Sequence, residues 1–336
     1  MNKKKLLSVL VGCFMICTIA LSGCGSSDSG NSSTASTVTL KLNQVNNEKS
    51  VYYQAAQKFK EEVEKNTDGN VKIEIYSSGQ LGNERDMVES MQYGTIDVGM
   101  VASAVLGSFV DEYALLDAPF LYDSDEQAKK VTDGKVGDFL GEQLLSKQKI
   151  RTLGYYQNGF RDVFSNRPVT SLADFKGLKI RTMENKLHQK AFTDLGALPV
   201  PMPFGEVFTG LQQGTIDAAE NSLDSIYSQK FYEATKNVTL TDHAFGFVVL
   251  CMSDLSFNKI PKEYQQAVQD AASKSVDFQV ETMKKANEEA KSKLEAEGVT
   301  IHKIDREELK KACGDIETEY KNMLPEEYLK EIKNTK

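Results

Sequence analysis

The chain has 336 residues, 40% of them apolar and 26% charged, and a formal net charge of −8. Two domains of ordinary size suit that length, and the composition is that of a globular protein, not of a disordered chain or a membrane bundle. The acidic balance argues against a nucleic-acid binder, which carries a basic face.

The first segment reads as a leader that does not belong to the fold. Lys3, Lys4 and Lys5 precede a mainly apolar run over 6–21, short for a membrane span and right for a signal-peptide core. It ends in Leu21-Ser22-Gly23-Cys24, small residues before a cysteine, the pattern of a bacterial lipoprotein cleavage site with Cys24 as the lipidated residue. An ordinary signal peptide with an incidental cysteine is the plainer alternative. GSSDSGNSSTAST follows, so 1–23 is expected to be a lipoprotein signal and 24–37 a flexible tether. Loss of 1–23 removes three lysines and no acid, which takes the charge from −8 to −11. Of the five cysteines, Cys251 and Cys313 then remain besides Cys24. A disulfide suits an exported protein, but VVLCM places Cys251 in an apolar strand, where a buried free thiol is expected.

Next comes a strand over 38–42, a helix over 50–64 with Ala55, Ala56, Phe59 and Val63 on one face, a turn at Asp68-Gly69-Asn70 and a strand at Val71–Tyr76. This order opens a doubly wound α/β domain. Strand-like runs recur at 150–156, 178–181 and 245–252, and from Lys262 onward the pattern is helical and charged apart from Val299-Thr300-Ile301. A repeat stands out: DMVESMQYGTID over 86–97 and EVFTGLQQGTID over 206–217. Each has an acid, an apolar face (Met87, Val88, Met91 and Val207, Phe208, Leu211), and a glycine, Gly94 or Gly214, where a helix C-cap needs left-handed backbone. One copy in each of two α/β domains implies a cleft between them. The expected division is a first domain at 38–156 joined by part of the C-terminal segment, a second at 157–255, and a helical segment at 256–336 packing across both. Ligands bind at the carboxyl ends of strands in such sheets, which points to Ala102, Ser103, Glu220 and Asn221.

Enzyme signatures are missing: no GxSxG, no Walker A loop, no HExxH, no GxGxxG after a strand. His188, His243 and His302 share no metal spacing, and no metal or cofactor is expected. Gly79-Gln80-Leu81-Gly82 lacks the lysine of a phosphate loop and reads as a turn into a helix starting near Asn83. Arg181 closes the apolar strand LKIR. A buried arginine needs a partner, either an internal acid or a ligand carboxylate held by the guanidinium fork. Arg161, in NGFRDVFSNRP, has the same two readings. By themselves, Asn221 reads as a cap and Phe204 as core or a hydrophobic staple.

In order along the chain, YSSGQLGNERDM, QYGTIDVGM, DAPFLY, NGFRDVFSNRPV, GLKIRTM, PVPMPFGEVFTGLQQGTIDAAENSL and FYEATK resemble the substrate-binding protein of tripartite ATP-independent periplasmic (TRAP) transporters, over about residues 38–325. The resemblance implies a periplasmic binding protein-like fold of type II: two hinged α/β domains, a long helix crossing both, and closure around an organic acid. It implies that Arg181 pairs with the ligand carboxylate, with Arg161 supporting the anion, Asn221 in the site and Phe204 lining it. Glu84 and Gln44 fall near the cleft by likeness to sugar-acid-binding members, and their polarity suits hydroxyl groups. The sequence departs from the family pattern at Ala218, usually glycine, and at Ser222-Leu223, and Ala102 replaces the acid of sialic-acid-type members.

The function implied is capture of a small carboxylate outside the cell by a monomeric, lipid-anchored receptor on the outer face of the cytoplasmic membrane, and its delivery to TRAP membrane subunits. Sugar acids such as hexuronates rank first, in a cleft with Tyr155, Tyr156 and Phe245 nearby; C4-dicarboxylates, matched to two arginines, rank second. A solute-binding lipoprotein of an ATP-driven importer is the alternative. An enzyme on the same fold lacks a nucleophile–base pair.

Overall fold

The structure, a computed structural model, describes residues 37–314, 316–321 and 323–335. The leader, Cys24 and the tether up to residue 36 lie outside the described residues. Strand β1 (Val38–Asn43) buries Leu40 and Leu42 and pairs in parallel with β2 (Val71–Tyr76) on one side and β3 (Val98–Ala102) on the other. Between β1 and β2 runs helix α1 (Val51–Asn66). Ser50 caps it by accepting the Tyr53 N–H at 3.2 Å, and Val51, Tyr52, Ala55, Ala56, Phe59 and Val63 form its buried face. Helix α2 (Glu84–Gln92) starts where the sequence indicates, with Asn83 and Asp86 closing a capping box.

Two strands are far longer than hydrophobic patterning shows. β4 (Ile150–Ser165) and β8 (Asn237–Ser253) pair antiparallel along almost their whole length. β3 lies on β8 near its C-terminal end and β9 (Thr300–Lys303) near its N-terminal end. β7 (Ala218–Asn221) lies against the last residues of β4, followed by β5 (Lys179–Thr182) and the edge strand β6 (Leu198–Pro201). The sheet order is β2-β1-β3-β8-β4-β7-β5-β6. β4 passes unbroken through position 156, where the sequence suggested a domain boundary, and its register against β8 shifts between Gln157 and Gly159 and again between Arg161 and Val163. The second half of β4 and the first half of β8 were missed because Asn158, Arg161, Asp162 and His243 are buried polar residues that interrupt apolar alternation, and each register shift changes the face a side chain takes. Cys251 and Cys313 are both buried free thiols.

The repeated string folds into the same corner twice. Gly94 ends α2 with φ +66°, and Gly214 ends helix α4 (Val207–Gln213) with φ +71°; helix α3 (Lys186–Asp194) lies between them in the chain. Thr95 returns its N–H to Ser90 O at 3.1 Å, and Thr215 to Gly210 O at 3.0 Å. One carboxylate oxygen of Asp97 accepts the Lys41 N–H at 2.7 Å, and one of Asp217 the Lys179 N–H at 3.0 Å. The two corners thus tie β3 and β7 to their parallel neighbours β1 and β5, and deliver Ala102 and Asn221 to equivalent strand ends.

Helix α5 (Leu223–Ser228) follows β7, and helix α6 (Lys262–Ala296), 35 residues long, lies across α1, β4 and α5. The Gln279 amide bonds both the N–H and the C=O of Gln157, at 2.9 and 2.7 Å. Asn287 donates to Asn158 O at 3.0 Å and accepts the Asp224 N–H at 2.9 Å, which ties α6 to β4 and α5 at once. Among the described residues no helix is long and apolar enough to cross a membrane.

Gly159 makes that strap possible. Its φ is +89°, and a Cβ there would lie 2.6 Å from the Asn287 Nδ2. Gly177 has φ +71° with open space around it. Gly177→Ala should therefore cost only backbone strain, about 1 kcal/mol, and Gly159→Ala about 2–4 kcal/mol through strain plus a displaced hydrogen bond. Urea unfolding of the two variants checks this; equal midpoints would contradict it.

Candidate functional site

The carboxyl ends of β3, β5 and β7 converge with the middle of β4 and β8 on one cavity of about 420 Å³, its mouth to solvent included. Asn46 and Tyr52 come from the β1–α1 corner, Glu84 from the first residue of α2, and Ala102 from the end of β3. Asn158 and Arg161 on β4, Arg181 on β5, Asn221 on β7 and Ser225 on α5 supply further polar atoms. Val45, Met183, Phe204, Phe247 and Val248 form its apolar walls. Few polar groups converging within apolar walls is the design of a small-molecule site.

The two arginines differ in kind. Arg161 is fully engaged: Nε and Nη2 bond the two carboxylate oxygens of Glu220, Nη2 also donates to Glu220 O at 2.8 Å, and Nη1 to Asn221 Oδ1 at 3.3 Å. Burial opposes the charge on Glu220, and the Arg161 guanidinium with the His243 ring overrides it, holding the carboxyl well below the ordinary range. Arg181, also buried, donates from Nε to Met202 O at 3.0 Å, and among the described residues no carboxylate pairs with it. Burial pulls its guanidinium down to about 10, with Glu220 opposing at longer range. Of the two readings open for each residue, the internal ion pair holds for Arg161 and not for Arg181.

Asn221 Oδ1 accepts from Arg161, from Asn158 Nδ2 at 2.8 Å and from the Ser222 N–H at 2.9 Å, so its Nδ2 is left as the group facing the cavity. The cap of α5 is Ser222, not Asn221. Glu84, half-buried, accepts the Ala102 N–H at 2.7 Å on one oxygen, and burial pushes its carboxyl up. Phe204 lines the wall edge-on to Phe231, at 5.7 Å between centroids.

Five of the six pocket residues read from the sequence thus meet in one cavity: Arg181, Arg161, Asn221, Phe204 and Glu84. Gln44 does not line it; its amide closes on Asn46, donating to its O and accepting its N–H, both at 2.7 Å. The expected aromatics are elsewhere. Tyr155 donates to Gly137 O at 2.7 Å, the Tyr156 hydroxyl meets Ser275, and Phe245 packs among Tyr122, Phe160 and Phe247. Their place is taken by Tyr52 and Phe247. Asn158 was missed although it stands inside the NGFR string, because only the fold shows that it faces the cavity.

The histidines share no spacing in the chain, yet folding gathers two of them. His188 Nδ1, His243 Nε2 and a Glu220 oxygen lie within 4.8 Å of one another. His243 Nε2 is 3.3 Å from that oxygen. His188 Nε2 donates to Asp117 O at 2.8 Å. Both Glu220 oxygens already bind Arg161, and a permanent cation in contact opposes a metal ion, so this group reads as a charge network beneath the cavity.

Residues 42–327 match the DctP family, bacterial extracellular solute-binding protein family 7. The 2,3-diketo-L-gulonate-binding periplasmic protein of Escherichia coli (strain K12) is 36% identical over 263 residues, 78% of this chain and 80% of that protein. A TRAP periplasmic solute-binding protein of Polaromonas sp. JS666 bound to D-erythronate superposes with TM-score 0.86 at 34% identity, covering 89% of this chain and 99% of that one. A third, from Roseobacter denitrificans with bound L-galactonate, gives TM-score 0.83 at 32% identity, over 88% and 99%.

Burial drops His188 to about 4, from 6.5 for an ordinary imidazole. The fold keeps the ring neutral where the unfolded chain protonates it. Its stabilising contribution is complete above about pH 6.5 and is lost as pH falls toward 4, about 3 kcal/mol in all. His188→Gln, which cannot titrate, should flatten that part of the stability profile in urea unfolding. A variant whose stability falls as steeply as the parent's between about pH 6.5 and 4 would assign the titration elsewhere.

Proposed function

The chain belongs to family 7 of the bacterial extracellular solute-binding proteins, with the α/β periplasmic binding protein fold of the TRAP receptors, and we propose that it captures a sugar acid outside the cell for a TRAP transporter. Members of this family bind solutes and carry out no reaction. The observation that supports an acid as ligand is the buried Arg181 guanidinium, lining the cavity with no paired carboxylate among the described residues. A desolvated cation is costly until an anion meets it, and a planar fork accepts a carboxylate on two oxygens. Asn221 Nδ2 adds a donor beside it.

A sugar acid is favoured over a C4-dicarboxylate by the charge count of the cavity. Arg161 is neutralised by Glu220, so one cation is uncompensated and calls for one carboxylate. Glu84 would repel a second anionic end, whereas its oxygens suit ligand hydroxyls. Tyr52 and Ser225 offer further hydroxyl groups. The relatives named for 2,3-diketo-L-gulonate, D-erythronate and L-galactonate point the same way.

In this reading the halves carrying α1 to β3 and β5 to β7 close on the acid by bending about β4 and β8, where the register shifts lie. The closed receptor docks as a monomer on the membrane subunits, and lipidated Cys24 with its serine-rich tether keeps it at the outer face of the cytoplasmic membrane.

Arg181 carries the test. L-galactonate, D-erythronate and succinate are titrated calorimetrically beside thermal melts, and a sugar acid should bind most tightly and raise the melting temperature most. Arg181→Ala should cost about 2–5 kcal/mol of that affinity, and Arg181→Lys less, because it keeps the charge but not the fork. The ligand-free Arg181→Ala protein should melt no lower than the parent, since the variant removes an unpaired charge. Undiminished affinity in Arg181→Ala would end the carboxylate reading. For the anchor, Cys24→Ser should move the receptor from the membrane fraction to the soluble fraction with affinity unchanged; full membrane retention would refute lipidation at this residue.

A further inference from the structure

We infer that Asn158 is a positioning residue of this site: its side-chain amide, together with the Ser222 N–H and the Arg161 guanidinium, holds Asn221 so that a donor and not an oxygen faces the anion. The inference rests on the reading of the cavity as a carboxylate site. Asn158 stands at the register shift of β4 between Gln157 and Gly159, at 3% exposure, and three separate segments converge on it. Its Nδ2 donates to Asn221 Oδ1 at 2.8 Å. Its Oδ1 accepts from the Tyr52 hydroxyl at 2.9 Å and faces the Ser222 and Ser225 hydroxyls at 3.1 and 3.2 Å. Its backbone oxygen takes the Asn287 amide of α6.

The direction of this chain is not arbitrary. The Ser222 N–H and the Arg161 guanidinium can only donate, so the Asn221 atom they meet is its oxygen. The Asn158 atom beside that oxygen must then be its nitrogen, which turns the Asn158 oxygen toward Tyr52 and the two serines. Gly246 leaves the room for it: a Cβ there would lie 3.1 Å from Asn158 Cβ and Nδ2 and 3.2 Å from Arg161 Nη1. With its oxygen saturated by three donors, Asn221 has only Nδ2 to offer the cavity. A buried amide held this way arrives already oriented, which spares the ligand the cost of ordering it.

Asn158→Ala removes the amide without adding a charge beside the anion. The ligand-free readout is 15N relaxation of the Asn221 side-chain amide by NMR. That amide should be rigid in the parent and more mobile in Asn158→Ala, where one of the three donors to its oxygen is gone. With L-galactonate as probe, Asn158→Ala should raise Kd about three- to tenfold. In an Asn221→Ala background the same change should alter Kd by less than about twofold, since it acts through Asn221. Identical Asn221 relaxation in parent and variant, or an equal loss of affinity in both backgrounds, overturns the inference. Failure of the parent to bind L-galactonate bears on the ligand reading alone, and the relaxation measurement still decides the role of Asn158.

Discussion

The cavity depends on one buried ion pair, between Arg161 and Glu220. Glu220 commits both of its carboxylate oxygens to Arg161 in a buried setting. A buried pair of this kind gains little net stability, because desolvation offsets the attraction. What it does is distribute charge. With Arg161 neutralised, the cavity keeps a single free cation at Arg181 among the described residues, and with Arg161 immobilised, its Nη1 becomes a fixed donor to Asn221. His188 and His243 border the same carboxylate, and burial keeps His188 neutral so that it adds no competing charge. In the proposed reading, specificity for one anionic group follows from an internal acid that cancels one of two arginines.

The scaffold around that pair has to hold buried polar groups in register, and two crossing strands do this. β4 and β8 share a long antiparallel ladder whose register shifts turn Asn158 and Arg161 toward the cavity. Helix α6 braces the ladder where regular pairing is interrupted, with Gln279 on the backbone of Gln157 and Asn287 on that of Asn158. Shifted strands lose ladder hydrogen bonds, and side-chain amides from a neighbouring helix replace them. In the proposed closure the bend falls here, where β8 and β4 join the half-sheets on either side.

The repeated corner shows how much a local string can specify. In each copy a left-handed glycine stops the helix, a threonine folds back on it, and an aspartate ties the next strand to its parallel neighbour. Every one of these interactions spans a short stretch or an obligatory strand pair, so the string carries it wherever it is placed. Divergence lies at the strand ends. The first copy delivers Ala102, whose N–H holds Glu84, and the second delivers Glu220 and Asn221, which hold Arg161.

The amino-acid sequence by itself determined the α/β class, α1, the two corners, the buried strand carrying Arg181 and, through family resemblance, five residues that share the cavity. Those features rest on periodicity, capping and turn chemistry, which act over a few residues, or on strings specific enough to recognise. The partner of each arginine was decided only by tertiary structure, because Arg161 meets Glu220 across 59 positions and Arg181 meets no acid among the described residues. So were the turn of Gln44 onto Asn46, the placing of Tyr155, Tyr156 and Phe245 away from the cavity, the gathering of His188 and His243, and the contact of Asn158 with Asn221. Each depends on which face a strand shows after a register shift and on which distant segment then packs against it. A linear pattern of apolar and polar residues does not encode either, since a buried polar residue satisfied by a partner far along the chain looks, in sequence, like an exposed one.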